Sequence, residues 1–351
     1  MKPRQDVRPR VLLIAGSSRR QYNCPGVDGK ARTLMQRMAD RLAERFEVDV
    51  EDLANVYGRE RIQSCNACVS TSMALCVWPC NCYRKDDDAE PDLMWNLDLY
   101  ARLDLADAWA FIAPINWYGP PSNLKLMFDR LVCMNGGNPR EDLIGHKDVQ
   151  KALKLERTEK WKQLSRNHLE GRTAAFFVYG DLGADELDED GRPKKLLHKH
   201  WFDPDAEPFD DERDALAPIV WQCRYSGIEV PDALWRYQLI GQGRPYSDSQ
   251  AEHLAAQAPV IGAFDAWTDA FAAHVQAKGK VKPGRYRAHG YEPPPYRWKE
   301  LKLGVLDARM RLGIPRRGSS PHLQQQLALN RDRTLRPSKS AARSRPKKER
   351  P

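Results

Sequence analysis

Residues 10–53, RVLLIAGSSRRQYNCPGVDGKARTLMQRMADRLAERFEVDVEDL, decide the fold. Val11–Ala15 run unbroken and apolar up to Gly16, as a strand buried on both faces does. Leu34, Met35, Met38, Leu42 and Phe46 then recur at helical spacing through and just beyond 29–45. Residues 46–53 alternate, as a strand with one polar face does. Strand, helix and strand in so short a span make one β-α-β unit.

Working outward, the alternation continues. Residues 91–105 (PDLMWNLDLYARLDL) read as a helix opening at Pro91, and 106–114 as a buried strand ending at Pro114. A loop, INWYGPPS, leads to a helix over 123–134, halted by Asn135-Gly136-Gly137. Residues 172–179 read as a fourth strand, 214–225 as a helix, 228–240 as holding a fifth strand, and 249–277 as a long Ala-rich helix. Such alternation implies a parallel sheet with helices on both faces, and five strands suit the doubly wound order 2-1-3-4-5. The main domain is expected over 1–280, with a Cys-rich loop inserted at 62–85. Residues 183–214 carry twelve Asp+Glu against five Lys+Arg and read as an exposed acidic insertion. Residues 281–314 read as an extension wrapping the domain or a neighbouring subunit, and 315–351 as a basic disordered tail.

Composition narrows the function classes. With 351 residues, 41% hydrophobic and 30% charged, the chain reads as globular rather than fibrous or wholly disordered. No run of about 18 apolar residues exists, so no spanning helix is expected. The first apolar stretch is too short for a secretory signal, which points to the cytoplasm. The net charge of +8 sits in the tail, where residues 315–351 hold eleven Lys+Arg against two Asp+Glu. No aromatics interleave with those charges, so the tail does not point to nucleic acid.

In an open parallel sheet, ligands bind at the carboxyl ends of the strands. The first such loop, Gly16-Ser17-Ser18-Arg19-Arg20, offers hydroxyls, backbone N–H groups, guanidinium groups and a helix start. That chemistry suits a phosphate monoester. It is neither a Walker A loop nor GxGxxG. The second loop, Pro114–Ser122, sets Trp117 and Tyr118 beside an amide and a glycine, which suits a planar ring. The third, Tyr179-Gly180-Asp181-Leu182-Gly183, permits close backbone approach. A phosphate at the first loop and a flat ring at the other two describe flavin mononucleotide (FMN).

The stretches VLLIAGSSR and APINWYGPPSNLKLMFDRL, with Lys125, Asp129 and Arg130, carry a resemblance. Over roughly residues 10–275 the chain resembles the flavodoxin-like NADPH-dependent FMN reductase family. The resemblance implies FMN held by Ser17, Ser18 and Arg19, with Thr33 as the hydroxyl near the helix start. The ring would lie against Pro114, Ile115, Asn116, Trp117, Tyr118 and Gly119, and against Tyr179, Gly180, Asp181 and Gly183. It further implies NAD(P)H as co-substrate, a small electron acceptor such as a quinone or flavin, and a homodimer or homotetramer. No side chain is assigned a catalytic role, because the cofactor carries such chemistry. Lys125, Asp129 and Arg130 read as an i,i+4 surface pair and a helix–helix ion pair.

Five of the eight cysteines fall within 65–82: Cys65, Cys68, Cys76, Cys80 and Cys82. In a reducing compartment such a group points to metal or redox chemistry rather than a disulfide framework. The segment resembles that of iron–sulfur flavoproteins, a branch in which a [4Fe-4S] cluster is implied. Cys65-x-x-Cys68 matches the first half of that pattern and the third position fails. A cluster, a zinc site and redox-active or free thiols all stay open. His198-x-His200 reads as surface. Two alternative functions are an iron–sulfur electron carrier and a non-enzymatic module binding through the basic tail. A phosphate-ester enzyme on the same fold would need a positioned nucleophile or metal-binding carboxylates, and none stands out.

Overall fold

Five parallel strands pair into one sheet in the order β2-β1-β3-β4-β5. They are β1 (Arg10–Ala15), β2 (Glu47–Asp52), β3 (Ala108–Pro114), β4 (Thr173–Gly180) and β5 (Trp235–Leu239). The structure is a computed structural model, described here for residues 8–19, 29–54, 61–76, 80, 82–83, 92–117, 119–131, 148–164, 169–180, 215–240, 254 and 256–281. The acidic insertion, nearly all of the 281–314 extension and the basic tail lie outside the described residues, as do Tyr118, Asp181, Gly183, His198 and His200. Among the described residues no helix is long and apolar enough to cross a membrane.

Side-chain alternation along the central strands splits the core in two. Leu12, Ile14, Trp109, Phe111, Phe176 and Val178 face one side, where α3 (Leu99–Leu105), α4 (Ser122–Leu131) and α7 (Ala217–Tyr225) pack. Val11, Leu13, Ala110, Ile112 and Phe177 face the other, covered by α1 (Lys30–Leu42) and α8 (Ala258–Lys278). Because β1, β3 and β4 are buried on both faces, their sequences read as continuous apolar runs. Registers Ala15↔Ile112 and Pro114↔Tyr179 bring the carboxyl ends of these three strands to one edge.

Several sequence expectations change in detail. The helix expected over 91–105 is two helices, α2 (Leu93–Asn96) and α3, separated by Asp98 in the left-handed region at φ 51°. Its N-cap is Asp92, whose carboxylate accepts from Met94 N–H. Strand β5 occupies only the end of 228–240, after a 3-10 turn at Asp232–Leu234, and α8 starts at Ala258 rather than 249. Two helices not read from the sequence, α5 (Val149–Glu156) and α6 (Glu159–Leu164), pack Ala152 and Trp161 against Ala74 and Leu75. The polar face of β2 is buried, not solvated. Asp49 and Glu51 meet the Arg102 guanidinium from α3, which donates to Asp49 at 2.7 and 2.8 Å and also to Glu51. Two carboxylates in one buried pocket hold Arg102 firmly charged.

Candidate active site

The first loop leaves β1 at Gly16, whose N–H donates to Ile112 O at 2.8 Å. An added Cβ there would meet Ala113 and Leu124 at 3.1 and 3.2 Å, so the close approach of the loop to β3 and α4 requires glycine. Ser17 is buried, and its Oγ accepts from Arg19 N–H at 3.1 Å, which turns the chain back on itself. The next described residue, Gly29, is the N-cap of α1 and has no side chain to cap it.

What meets that helix start comes from β4. The Tyr179 phenol lies beside the start of α1, where Ala31 N–H, Arg19 and Arg32 each favour its charged form. Burial outweighs them and pushes the Tyr179 phenol up, so at neutral pH it is a hydroxyl. Arg32 donates to Asp52 at 2.8 Å and to Arg19 O at 3.3 Å, tying α1, the end of β2 and the first loop together. Burial raises Asp52, with Arg32 opposing it. Ser17, Arg19, the start of α1 and Tyr179 thus stand together at the strand-end edge, with Arg32 beside them. Ser18 is exposed beside it. Thr33 is exposed on α1 and lines a surface groove with Arg37, Asp40, Arg41 and Asp265.

The second loop leaves β3 alongside the third. Ile115 N–H donates to Tyr179 O at 2.8 Å. Asn116 and Gly119 exchange two backbone hydrogen bonds of 2.9 and 3.0 Å, closing a tight turn with Trp117 at φ 48°. The N–H groups of Asn116 and Gly119 are therefore spent within the loop. Trp117 stands 96% exposed at its tip. Gly180 lies where an added Cβ would be 3.6 Å from both Ile115 Cβ and Tyr237 Oη. Tyr237, on β5, donates from its hydroxyl to Gly180 O at 3.3 Å and closes the far side. Asn123 donates to Leu53 O at 2.8 Å, fixing the start of α4 against the end of β2.

Three groups here were not read from the sequence: Arg32, Asp52 and Tyr237. Arg32 and Asp52 lie in a helix and a strand whose periodicity reports only burial, and nothing local marks them as partners. Tyr237 was legible as the aromatic near the end of the fifth strand.

The Lys125–Asp129 pair forms within α4 as expected. Arg130 is fully buried. It donates to Asp92 at 2.7 Å, to Tyr100 Oη at 2.8 Å and to Gln63 O at 3.0 Å, and lies 4.6 Å over the Tyr83 ring. It thereby anchors both stems of the Cys-rich loop.

Cys68 and Cys82 approach to 3.3 Å, Cys80 bonds to Cys82, and the Cys65 sulfur accepts from Ala67 N–H two residues on. Among the described residues no group of three or more His, Cys, Asp or Glu side chains is placed to hold a metal ion. The described thiols therefore give no support to the four-thiolate site that a cubane cluster or a structural zinc needs.

Residues 9–200 match the family described as NADPH-dependent FMN reductase. No curated protein matches. Among solved structures, an NAD(P)H:quinone oxidoreductase from Methanothermobacter marburgensis is similar at 15% identity and TM-score 0.35, over 75% of this chain and 96% of that one. The general stress protein 14 of Treponema denticola, solved in complex with FMN, is similar at 12% identity and TM-score 0.33, over 75% and 98%. An NADH:FMN oxidoreductase in its apo form is similar at 14% identity and TM-score 0.32, over 75% and 89%. At these scores they add nothing to the fold argued above from strand order. Matched over more than half its length, the chain belongs to the NADPH-dependent FMN reductase family and is a flavin-dependent oxidoreductase.

Proposed function

We propose that the strand-end recess holds FMN, with its phosphate at Ser17, Ser18, Arg19 and the start of α1. The observation that carries this reading is the first strand-end loop itself: buried Ser17 bonds Arg19 N–H, and Arg19 packs against the start of α1, where a Cβ added at Gly29 would be 3.7 Å from Arg19 O. An anion is stabilised there by the helix dipole and by charge-assisted donors. The ring would lie against Pro114–Gly119 and Tyr179–Gly183. FMN supplies, when bound, reversible transfer of two electrons.

The chain's own part is binding and orientation. Arg19 and the Ser17 hydroxyl donate to the phosphate. The turn at Asn116–Gly119 offers Trp117 N–H towards the ring, because the N–H groups of Asn116 and Gly119 are already engaged. Gly180, backed by Ile115 and Tyr237, lets the ring approach the backbone. The open side of the recess admits NAD(P)H and then a small acceptor, such as a quinone or free flavin. The exposed Trp117 would be covered by a second copy in a homodimer or homotetramer.

Titration of the full chain with FMN, and separately with riboflavin, tests the reading through flavin fluorescence. FMN is expected to bind at micromolar levels or tighter and riboflavin far more weakly. Arg19→Ala is expected to weaken FMN by at least about tenfold, the value of one charged hydrogen bond, and to leave riboflavin unchanged. Equal loss for both ligands, or no loss, would remove the phosphate from this loop. NADPH and NADH consumption with a quinone acceptor then assigns the donor.

A further inference from the structure

The Cys-rich loop has a geometry that the flavin reading does not use. Its two stems are tied together at the base. Tyr83 Oη donates to Ser64 O at 2.9 Å, and Arg130 donates to Gln63 O while lying over the Tyr83 ring. Above that clamp, Ala67 takes a left-handed conformation at φ 47°, which a residue with a Cβ seldom adopts. It starts the 3-10 turn that carries Cys68. Cys68 Sγ then lies 3.3 Å from Cys82 Sγ, little more than an ångström beyond bonding distance. Both residues are half-buried, so a small reagent reaches them, while Cys80 is buried against the core.

We propose that Cys68 and Cys82 are a dithiol that reacts with low-molecular-weight disulfides and closes to an intramolecular disulfide. Cys82 is the attacking sulfur. The buried Cys80 thiol donates its S–H to Cys82, and that bond together with burial keeps Cys80 protonated. Cys80, kept protonated, does not itself compete. The Cys82 thiolate attacks one sulfur of the small disulfide, and the first thiolate of that molecule leaves. Cys68 loses its proton to solvent and attacks the Cys82 sulfur of the mixed disulfide, expelling the second thiolate. The balance is two protein thiols and one small disulfide converted to one protein disulfide and two small thiols. Two electrons pass to the small disulfide, and the two protons end on its products. The closed bond ties the 3-10 turn at Cys68 to the stem beside Arg130, a covalent staple over α4 that responds to thiol redox poise.

The test equilibrates the purified full-length protein anaerobically at a series of ratios of reduced to oxidised glutathione. Free thiols are alkylated, and the protein is cut with chymotrypsin, which separates Cys65 and Cys68 from Cys80 and Cys82. Fragmentation mass spectrometry then assigns the pairs. A Cys68–Cys82 bond is expected to appear in a single two-electron transition, and Cys80→Ser to keep it. In Cys68→Ser a glutathione adduct is expected on Cys82, at least tenfold above that on any other cysteine. The proposal is overturned if Cys68 and Cys82 alkylate independently over the whole series, or if either pairs with a different cysteine. Stoichiometric iron or zinc, released together with these thiols from the protein as purified, would overturn it equally. None of these readouts depends on flavin, so the proposal fails or stands apart from the FMN reading.

Discussion

Arg130 shows how one residue can carry two unrelated duties. Its guanidinium is wholly buried with Asp92, and Tyr100 and Gln63 take further N–H bonds. Burial opposes its charge, while the partners overcome that and hold it firmly protonated. Removing it would leave the Asp92 carboxylate buried and unpaired. Arg130→Met is therefore expected to cost about 3–5 kcal/mol, read as a lowered urea midpoint. Lys125→Ala, breaking the solvent-facing pair one turn earlier, is expected to cost less than about 1 kcal/mol in the same assay. The sequence separated a surface pair at Lys125 and Asp129 from a helix–helix ion pair at Arg130, but spacing along a helix does not name the partner across helices, here Asp92. Tyr179 makes the same point at the site. Its position after a buried strand was legible, but the approach of its phenol to the start of α1 was not.

At the scale of elements, periodicity located each strand and most helices, and failed where a short-range conformation intervened. Asp98 at φ 51° breaks the helix pattern that runs through 91–105, although the apolar spacing passes through it unchanged. The turn after α7 is another such place. Gly227 sits at φ 73°, and its carbonyl accepts from Gly171 N–H at 2.9 Å. A Cβ there would lie 2.8 Å from Glu170 Cγ. Gly227→Ala is expected to destabilise by about 1–2 kcal/mol from the left-handed backbone alone. Chemical denaturation reads the change, and an unchanged midpoint would mean that the turn relaxes.

For the whole molecule, four buried acids titrate late. The bond from Cys80 to Cys82, together with burial, raises the Cys80 thiol, and burial raises Cys223, Tyr100 and Tyr179. Each keeps its proton in the folded state to a higher pH than in the unfolded chain. Their contribution is complete below the ordinary thiol and phenol range and is lost as pH rises through it. Stability should be level to about pH 8 and fall above about pH 9. Urea titrations at pH 7.5, 9 and 10 under reductant measure this. Cys223→Ala is expected to lower stability at pH 7.5 and to flatten the decline between pH 9 and 10. A decline of equal slope in the variant would assign the effect elsewhere.

The strand count, the parallel sheet and the three loops at its carboxyl edge were determined by the chain alone. They follow from periods of two and about 3.6 residues and from glycine and proline at the breaks, all of which are local. Pairing partners were not so determined. Arg102 neutralises β2 from α3, Tyr179 meets the start of α1, and Cys68 faces Cys82. Each of these joins segments whose approach depends on how the helices pack on the sheet. Charge and thiol chemistry are sensitive to distances of an ångström, and only the assembled core sets distances that finely.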